Sequence, residues 1–389
     1  MKGSTISNTI ATGFAIFSMH FGAGNVIFPL ALGQYAQDKN FYASLGLLIT
    51  AVGVPFIGLM SMTLFNGNYK HFFERIGKVP GFILALFIMG LIGPFGAMPR
   101  TITVSYAAVK TYLPSMSLWL FSAISCITIF ILTFRKARLI DLLGYVLTPI
   151  LLGSLLLIII KGIFQAEPAT PSDLSKITAF MHGFTEGYHT MDLLGAFFFS
   201  SVALSVLEQG VDAHDRKDMR LMIFRTLKAG CIGMSMLGLA YFGFSYVTSH
   251  IGAEIVVSSR EEIMAATAIR VLGPQAGIIA CIAVSLACIT TALALAVVFS
   301  EFLHKDVFIG KIGYIPCLVV TLLGTFFVST LDFDGIAKFL APILQICYPA
   351  LIMLSILNIF HKLYHIQIVK TPVFIVFAIS LGFYLHQIF

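Results

Sequence analysis

Residues 8–34 read NTIATGFAIFSMHFGAGNVIFPLALGQ. The run is apolar from Ile10 to Leu32, long enough for a bilayer crossing, which takes about 20 residues. In its middle stands Gly22-Ala23-Gly24-Asn25, with Pro29 close behind. Two glycines, an asparagine and a proline weaken a helix where hydrocarbon most demands one. No water there satisfies loose N–H and C=O groups, so interrupted backbone persists only inside protein or beside a polar cavity. The break therefore points to a site. Amides freed at a half-helix N-terminus hold a carboxylate, and carbonyls freed at a half-helix C-terminus hold a cation. The competing reading is that Gly22 and Gly24 only admit a neighbouring helix closely. A second interrupted helix in a matching position decides between the two.

Working outward, apolar segments follow at about 41–65, 80–112, 117–134, 141–164, 188–207, 221–249, 274–303, 312–330, 335–360 and 371–388, making about eleven spans in all. The polar stretches 165–187 and 250–273 each leave room for a short loop helix. Of the 389 residues, 58% are hydrophobic and 11% charged, and the mean hydropathy is +0.95. Soluble domains carry about 25% charged residues, so this is an all-α polytopic membrane protein with no separate soluble domain. The net charge of +6 is spread over short loops and excludes a nucleic-acid surface. The first apolar run is too long for a signal-peptide core and lacks a cleavage site, so it reads as a retained span. With the N-terminus inside, 16 of the 24 Lys and Arg fall in inner loops and seven in outer ones, Arg100 lying within a span. That bias predicts a cytoplasmic N-terminus, an external Phe389 and residence in the cell (inner or plasma) membrane. The six cysteines lie in apolar segments without a CxxC and read as buried small hydrophobes, not a metal or disulfide framework.

Span 6 carries the second interruption: Gly183-Phe-Thr-Glu-Gly187-Tyr-His-Thr190-Met-Asp192-Leu-Leu-Gly195. Asp173 to Glu186 is the expected outer half-helix and Leu193 to Leu207 the inner. Spans 1 and 6 lie five apart, the spacing of two five-span halves with inverted topology. Residues 8–164 and 174–360 are then the two halves and 371–388 an appended helix.

The break at Gly22–Asn25 offers amides to a carboxylate, and the turn before it offers carbonyls to a cation. Facing it, the carbonyls of Gly187–Asp192 suit an ammonium group, so the two breaks describe a clamp for a zwitterion. In span 8, Ala287, Thr290 and Thr291 stand at i, i+3 and i+4 on one helix face. One carbonyl and two hydroxyls suit a small hard cation, against the alternative that both threonines back-bond to their own helix. Asp192 is an ionisable group at a predicted midplane, where such groups are costly and functional; it either serves a cation or proton, or caps the inner half-helix. Arg100, about 20 residues or ~30 Å into span 3, is placed at the outer boundary as a gate paired with Asp332 or Asp334, or as a snorkelling side chain. His20 and His189 flank the breaks and read more readily as core histidines than as proton carriers. Glu208 and Glu301 read as solvated span ends. No HExxH, paired acidic motif or nucleophile elbow supports an enzyme, and no ring of repeated pore residues supports a channel.

Gly22-Ala-Gly-Asn-Val-Ile-Phe-Pro29, Gly93-Pro-Phe-Gly-Ala-Met-Pro-Arg-Thr101 and Gly187-Tyr-His-Thr-Met-Asp-Leu-Leu-Gly195 together resemble the signature stretches of the branched-chain amino acid:cation symporters, the BrnQ-type (LIVCS) family. The similarity runs from span 1 to about residue 360. It implies a LeuT-like 5+5 inverted-repeat bundle and symport of leucine, isoleucine and valine with Na⁺ or H⁺, without a cofactor. By that similarity the substrate sits among Phe21, Gly22, Ala23, Gly24, Asn25, Gly187, Tyr188, Thr190, Met191 and Asp192, with Phe21, Phe95, Tyr188 and Met191 as the apolar side-chain pocket. The cation is expected at carbonyls of Ser18, Phe21 and Ala287 and the hydroxyls of Thr290 and Thr291. Asn25 is a candidate for a further cation or the substrate carboxylate. Family members typically have twelve spans, one more than expected here, which affects contacts made through the last span and leaves the core site intact.

Overall fold

The computed structural model describes residues 5–134, 139–209, 219–251, 255, 257 and 259–388. Among the basic residues assigned to inner loops, Lys2, Arg135, Lys136, Arg138, Arg216 and Lys217 lie outside the described residues, as do the side chains of Arg220 and Glu208. Every described element is helical, as a chain must be when bilayer leaves its backbone no other partner. The elements account for the eleven apolar segments in order.

Span 1 is two helices, Thr5–His20 and Ala23–Ala36, and span 6 is two helices, Lys176–His189 and Asp192–Gln209. Both interruptions are shorter than expected. In span 1 only Phe21 and Gly22 leave the helix. Asn25, read as a breaker, stands in the first turn of the second half and stabilises its start. In span 6 the outer half runs on to His189, and Ser175 opens it by accepting from the Thr178 amide at 3.1 Å. Thr190 and Met191 form the break, and Met191 takes φ 64°, unusual for a side chain of its size.

Two further irregularities were not expected. Span 3 divides into Lys78–Ile92 and Ala97–Lys110, joined by the turn Gly93–Gly96. Span 2 runs from Asn40 to Thr63 with a π-helical turn at Ile49–Gly53 opposite the span 6 break. Short helices cover the two faces: Tyr69–Ile76 between spans 2 and 3, and Arg260–Leu272 between spans 7 and 8. Their equivalent places, five spans apart, are what an inverted repeat produces.

The packing follows the same exchange. The long helix of span 7, Met219–Ile251, lies along both halves of span 1, and span 2 lies along both halves of span 6. Small residues line both seams. A Cβ at Gly33 would meet the Ser245 carbonyl of span 7, and one at Gly183 would meet the Ala43 carbonyl of span 2. Such close approach is how membrane helices gain contact when hydrophobic burial offers them little. The remaining elements are span 4 (Leu118–Phe134), span 5 (Leu139–Phe164), span 8 (Pro274–Phe302), span 9 (Tyr314–Ser329), span 10 (Asp332–Tyr364) and span 11 (Lys370–Ile388). Of the cysteines, Cys126, Cys281, Cys288 and Cys317 are buried, but Cys231 is exposed on the outer surface of span 7, a face that meets lipid rather than core.

Candidate functional site

The first half of span 1 ends with Phe21 N–H donating to the Phe17 carbonyl at 2.9 Å. The next amide, Gly22 N–H, turns instead to Asn25 Oδ1 at 2.9 Å, while Asn25 N–H donates to the Gly22 carbonyl at 3.1 Å. This reciprocal pair secures the helix start. It leaves the Ala23 and Gly24 amides at the head of the second half-helix, at the positive end of its dipole.

The other end of Asn25 reaches span 6. Its Nδ2 donates to both carboxylate oxygens of Asp192 at 2.8 Å, and the Tyr241 hydroxyl of span 7 donates to Asp192 Oδ2 at 2.6 Å. Asn25 Nδ2 and the Tyr241 hydroxyl are also in contact. Asp192 is therefore not simply a helix cap. It is buried at the meeting of spans 1, 6 and 7 and held by neutral donors. Tyr241 lies in an aromatic-rich span, and nothing in the sequence separates it from the packing aromatics around it.

Arg100 lies in this same place and not at the outer boundary. Its guanidinium Nη1 donates to the His189 carbonyl at 2.8 Å, the last turn of the outer half of span 6, and lies 3.1 Å from Met191 Sδ. Its guanidinium carbon lies 4.7 Å from the centre of the Phe28 ring and 5.2 Å from that of Phe333. The expected acids are engaged elsewhere: Asp334 with Arg260 at 3.7 Å, and Asp332 with the Gly335 amide at 2.7 Å. The depth estimate assumed a continuous span 3. The Gly93–Gly96 turn breaks that ruler and puts Arg100 in the first turn of a new helix.

A cavity of about 80 Å³ joins the two breaks; Gly22, Ala23, Gly24 and Asn25 line one wall, and Thr190, Met191 and Asp192 another. Arg100, Thr101 and Thr291 add to its polar lining, and His20 and Phe199 also border it, their rings edge to face at 5.5 Å. A second hollow of about 20 Å³ adjoins it, bounded by Phe21, Gly22, Ala23, Ala287, Cys288 and Thr291. Thr291 thus borders both. The hydroxyls of Thr290 and Thr291 donate to the Ala287 carbonyl at 2.8 and 2.9 Å, as membrane threonines commonly do. Their oxygen lone pairs stay available to a cation while they do so.

Several expected site residues stand elsewhere. Phe95 is 47% exposed beside Gly90 and Gly324, because the Gly93–Gly96 turn points it outward. Gly187 faces Thr50 of span 2, where a side chain would collide, so its smallness serves packing. Tyr188 packs against Tyr348, ring centroids 4.7 Å apart and planes tilted by 40°, and borders neither hollow. Ser18 is exposed and Thr290 borders neither hollow. The Gly187 and Tyr188 assignments assumed a span 6 break of six residues, Gly187 to Asp192. With two residues unwound, the helical turn carries Gly187 and Tyr188 away from the cavity.

Phe28 and Phe333 meet at 5.6 Å. Beyond them Arg260 bridges Glu186 of span 6 at 3.2 Å and Asp334 of span 10 at 3.7 Å, with His182 3.6 Å from Glu186.

Two breaks facing one another across a small polar cavity, each seated on the second span of the opposite half, characterise a transporter fold. Among solved structures, the chain resembles the inward-facing conformation of Mhp1, with a TM-score of 0.62 at 15% identity over 90% of this chain and 76% of that one. It also resembles the Eremococcus coleocola manganese transporter, with a TM-score of 0.55 at 13% identity over 99% of this chain and 86% of that one. A protein of Staphylococcus aureus strain USA300 named as a branched-chain amino acid carrier is 30% identical over 96% of this chain and 87% of its own length. A Staphylococcus epidermidis protein of the same name is 30% identical over 90% and 81%. The model of the branched-chain amino acid transport protein family matches residues 5–388, and the chain belongs to that family.

Proposed function

We propose that the chain is a symporter that moves branched-chain aliphatic amino acids inward with a cation, Na⁺ being the leading choice. The observation that carries this reading is the meeting of the two helix breaks at one cavity, with half-helix amides on one wall and a carboxylate on the other. The Ala23 and Gly24 amides suit the substrate carboxylate; Asp192 and the backbone of the Thr190–Met191 turn suit its ammonium. The adjoining hollow at Phe21, Ala287 and Thr291 suits a small cation that prefers oxygen. Met19, Ile92 and Leu295 supply an apolar side-chain lining. Such a lining separates substrates differing by one methylene by only ~1–3 kcal/mol, so leucine, isoleucine and valine are all accepted and methionine leaks through. The two halves 8–164 and 174–360 work as inverted partners around this site. An inward cation supplies about 2.3 kcal/mol per 100 mV, enough to concentrate substrate more than tenfold at about 1.4 kcal/mol per factor of ten.

One observation favours H⁺ as the second reading: Asp192 is buried among neutral donors, in a setting fit to take up and release a proton. Uptake of labelled leucine into proteoliposomes under separate sodium and pH gradients distinguishes the two. Thr291→Ala is expected to weaken sodium dependence by about tenfold, the equivalent of one lost ligand near 1.4 kcal/mol. Unchanged sodium dependence in that variant contradicts the cation site, and uptake indifferent to both gradients contradicts symport.

A further inference from the structure

We propose that Arg100 is the ionic anchor of the substrate's α-carboxylate and selects amino acids over their uncharged-carboxyl analogues. This rests on the amino-acid reading of the same cavity and adds to it the charge that backbone amides lack. Arg100 is 3% exposed and lies within the membrane-spanning bundle, where a lone charge is costly and needs a partner. Yet it forms no ion pair among the described residues. The neighbouring rings of Phe28 and Phe333 pack against it, and Nη1 is engaged by the His189 carbonyl. The two remaining donors, Nε and Nη2, have no partner. They lie side by side along one edge of the guanidinium, the edge that grips a carboxylate with two parallel hydrogen bonds.

The second argument concerns the charge that is nearby. Asp192 lines the same cavity and is also buried, but its oxygens are taken by Asn25 and Tyr241 and not by Arg100. Opposite charges that share a small cavity without pairing with one another are suited to a ligand that brings both signs. A zwitterion does so: its ammonium goes to Asp192 and its carboxylate to the free edge of Arg100. An uncharged sugar or a simple cation leaves one of the two uncompensated.

The test compares leucine with leucinamide, which keeps the ammonium and side chain but has no carboxylate, as competitors of labelled leucine binding to the purified full-length protein. In the wild type, leucine is expected to bind at least about tenfold better than leucinamide, the range of a lost charged hydrogen bond. In Arg100→Gln, leucine weakens by a similar factor, leucinamide is unchanged and the gap closes; Arg100→Lys restores part of it. If Arg100→Gln weakens both ligands equally, Arg100 acts only by pinning the helix end and the proposal fails. Should that variant not remain monodisperse, the wild-type ratio still decides: leucinamide binding as tightly as leucine overturns the proposal. Absence of leucine, isoleucine and valine binding refutes the substrate reading instead. The same acid-to-amide ratio, run with whichever neutral amino acid binds, then tests Arg100 separately.

Discussion

Asn25 performs two tasks that its place in the sequence only half reveals. Its oxygen closes the start of a half-helix on Gly22 and its amide nitrogen holds Asp192 from across the bundle. The sequence marks Asn25 as part of a break but not as the residue that closes the next half-helix. The second task is hidden as well, because 167 residues separate the partners. Glycines divide in the same way. Gly22 and Gly24 border the cavity, whereas Gly183 and Gly187 are small because span 2 passes against them. The sequence cannot tell these roles apart, since both require only the missing Cβ. We expect Gly183→Val to force the Ala43 carbonyl aside and lower stability by roughly 1–3 kcal/mol, as overpacking does. Gly382→Ala, with open space around it, should leave stability unchanged. Thermal unfolding of both in the same detergent checks this; equal midpoints would remove Gly183 from the seam.

The breaks in spans 1 and 6 were legible as elements because Gly, Asn and Asp are conspicuous inside apolar runs. Their extent was not: the Gly22–Asn25 pair winds the start of the second half of span 1, and the outer half of span 6 stays helical through His189. Span 3 shows the reverse error: Gly93-Pro94-Phe95-Gly96 was noted as a motif but the helix was measured as if straight. The helix pair Arg260–Leu272 carries a testable pH dependence. Glu261 sits outside the spans, 7% exposed, with Oε2 lacking a partner. Burial chiefly, then the nearby Asp334 and Asp332, push its carboxyl up to about 7 from the ordinary 4.5. A raised acid stays protonated when seated and ionises when released. Seating is therefore at full strength below the ordinary value, weakens as pH rises from there, and carries the whole penalty above about 7. Hydrogen exchange of residues 260–272, corrected for intrinsic rate, should be slower at about pH 5 than at about pH 8, and Glu261→Gln should flatten the difference. Equal protection in the wild type at both values would dismiss the effect.

For the whole molecule, exchange of partners between the halves is the organising fact: span 1 on span 7, span 6 on span 2. Eleven crossings, one for each apolar segment, predict that a reporter placed before Thr5 and one placed after Phe389 label from opposite faces, and the bias of the basic loops predicts the first to be inside. Labelling of both from one face would remove one of the eleven crossings. The chain's composition by itself determined that it is a helical membrane protein, because burying this much apolar surface with so little charge permits nothing else. Its local breakers determined where two spans come apart. Which side chains meet in the gap was settled only by tertiary structure. Tyr241 on Asp192, Arg100 on the His189 carbonyl and Phe95 turned outward all depend on where a helix rewinds and how it rotates. A one-residue change in an interruption turns every later side chain by about 100°, and no local pattern records that angle.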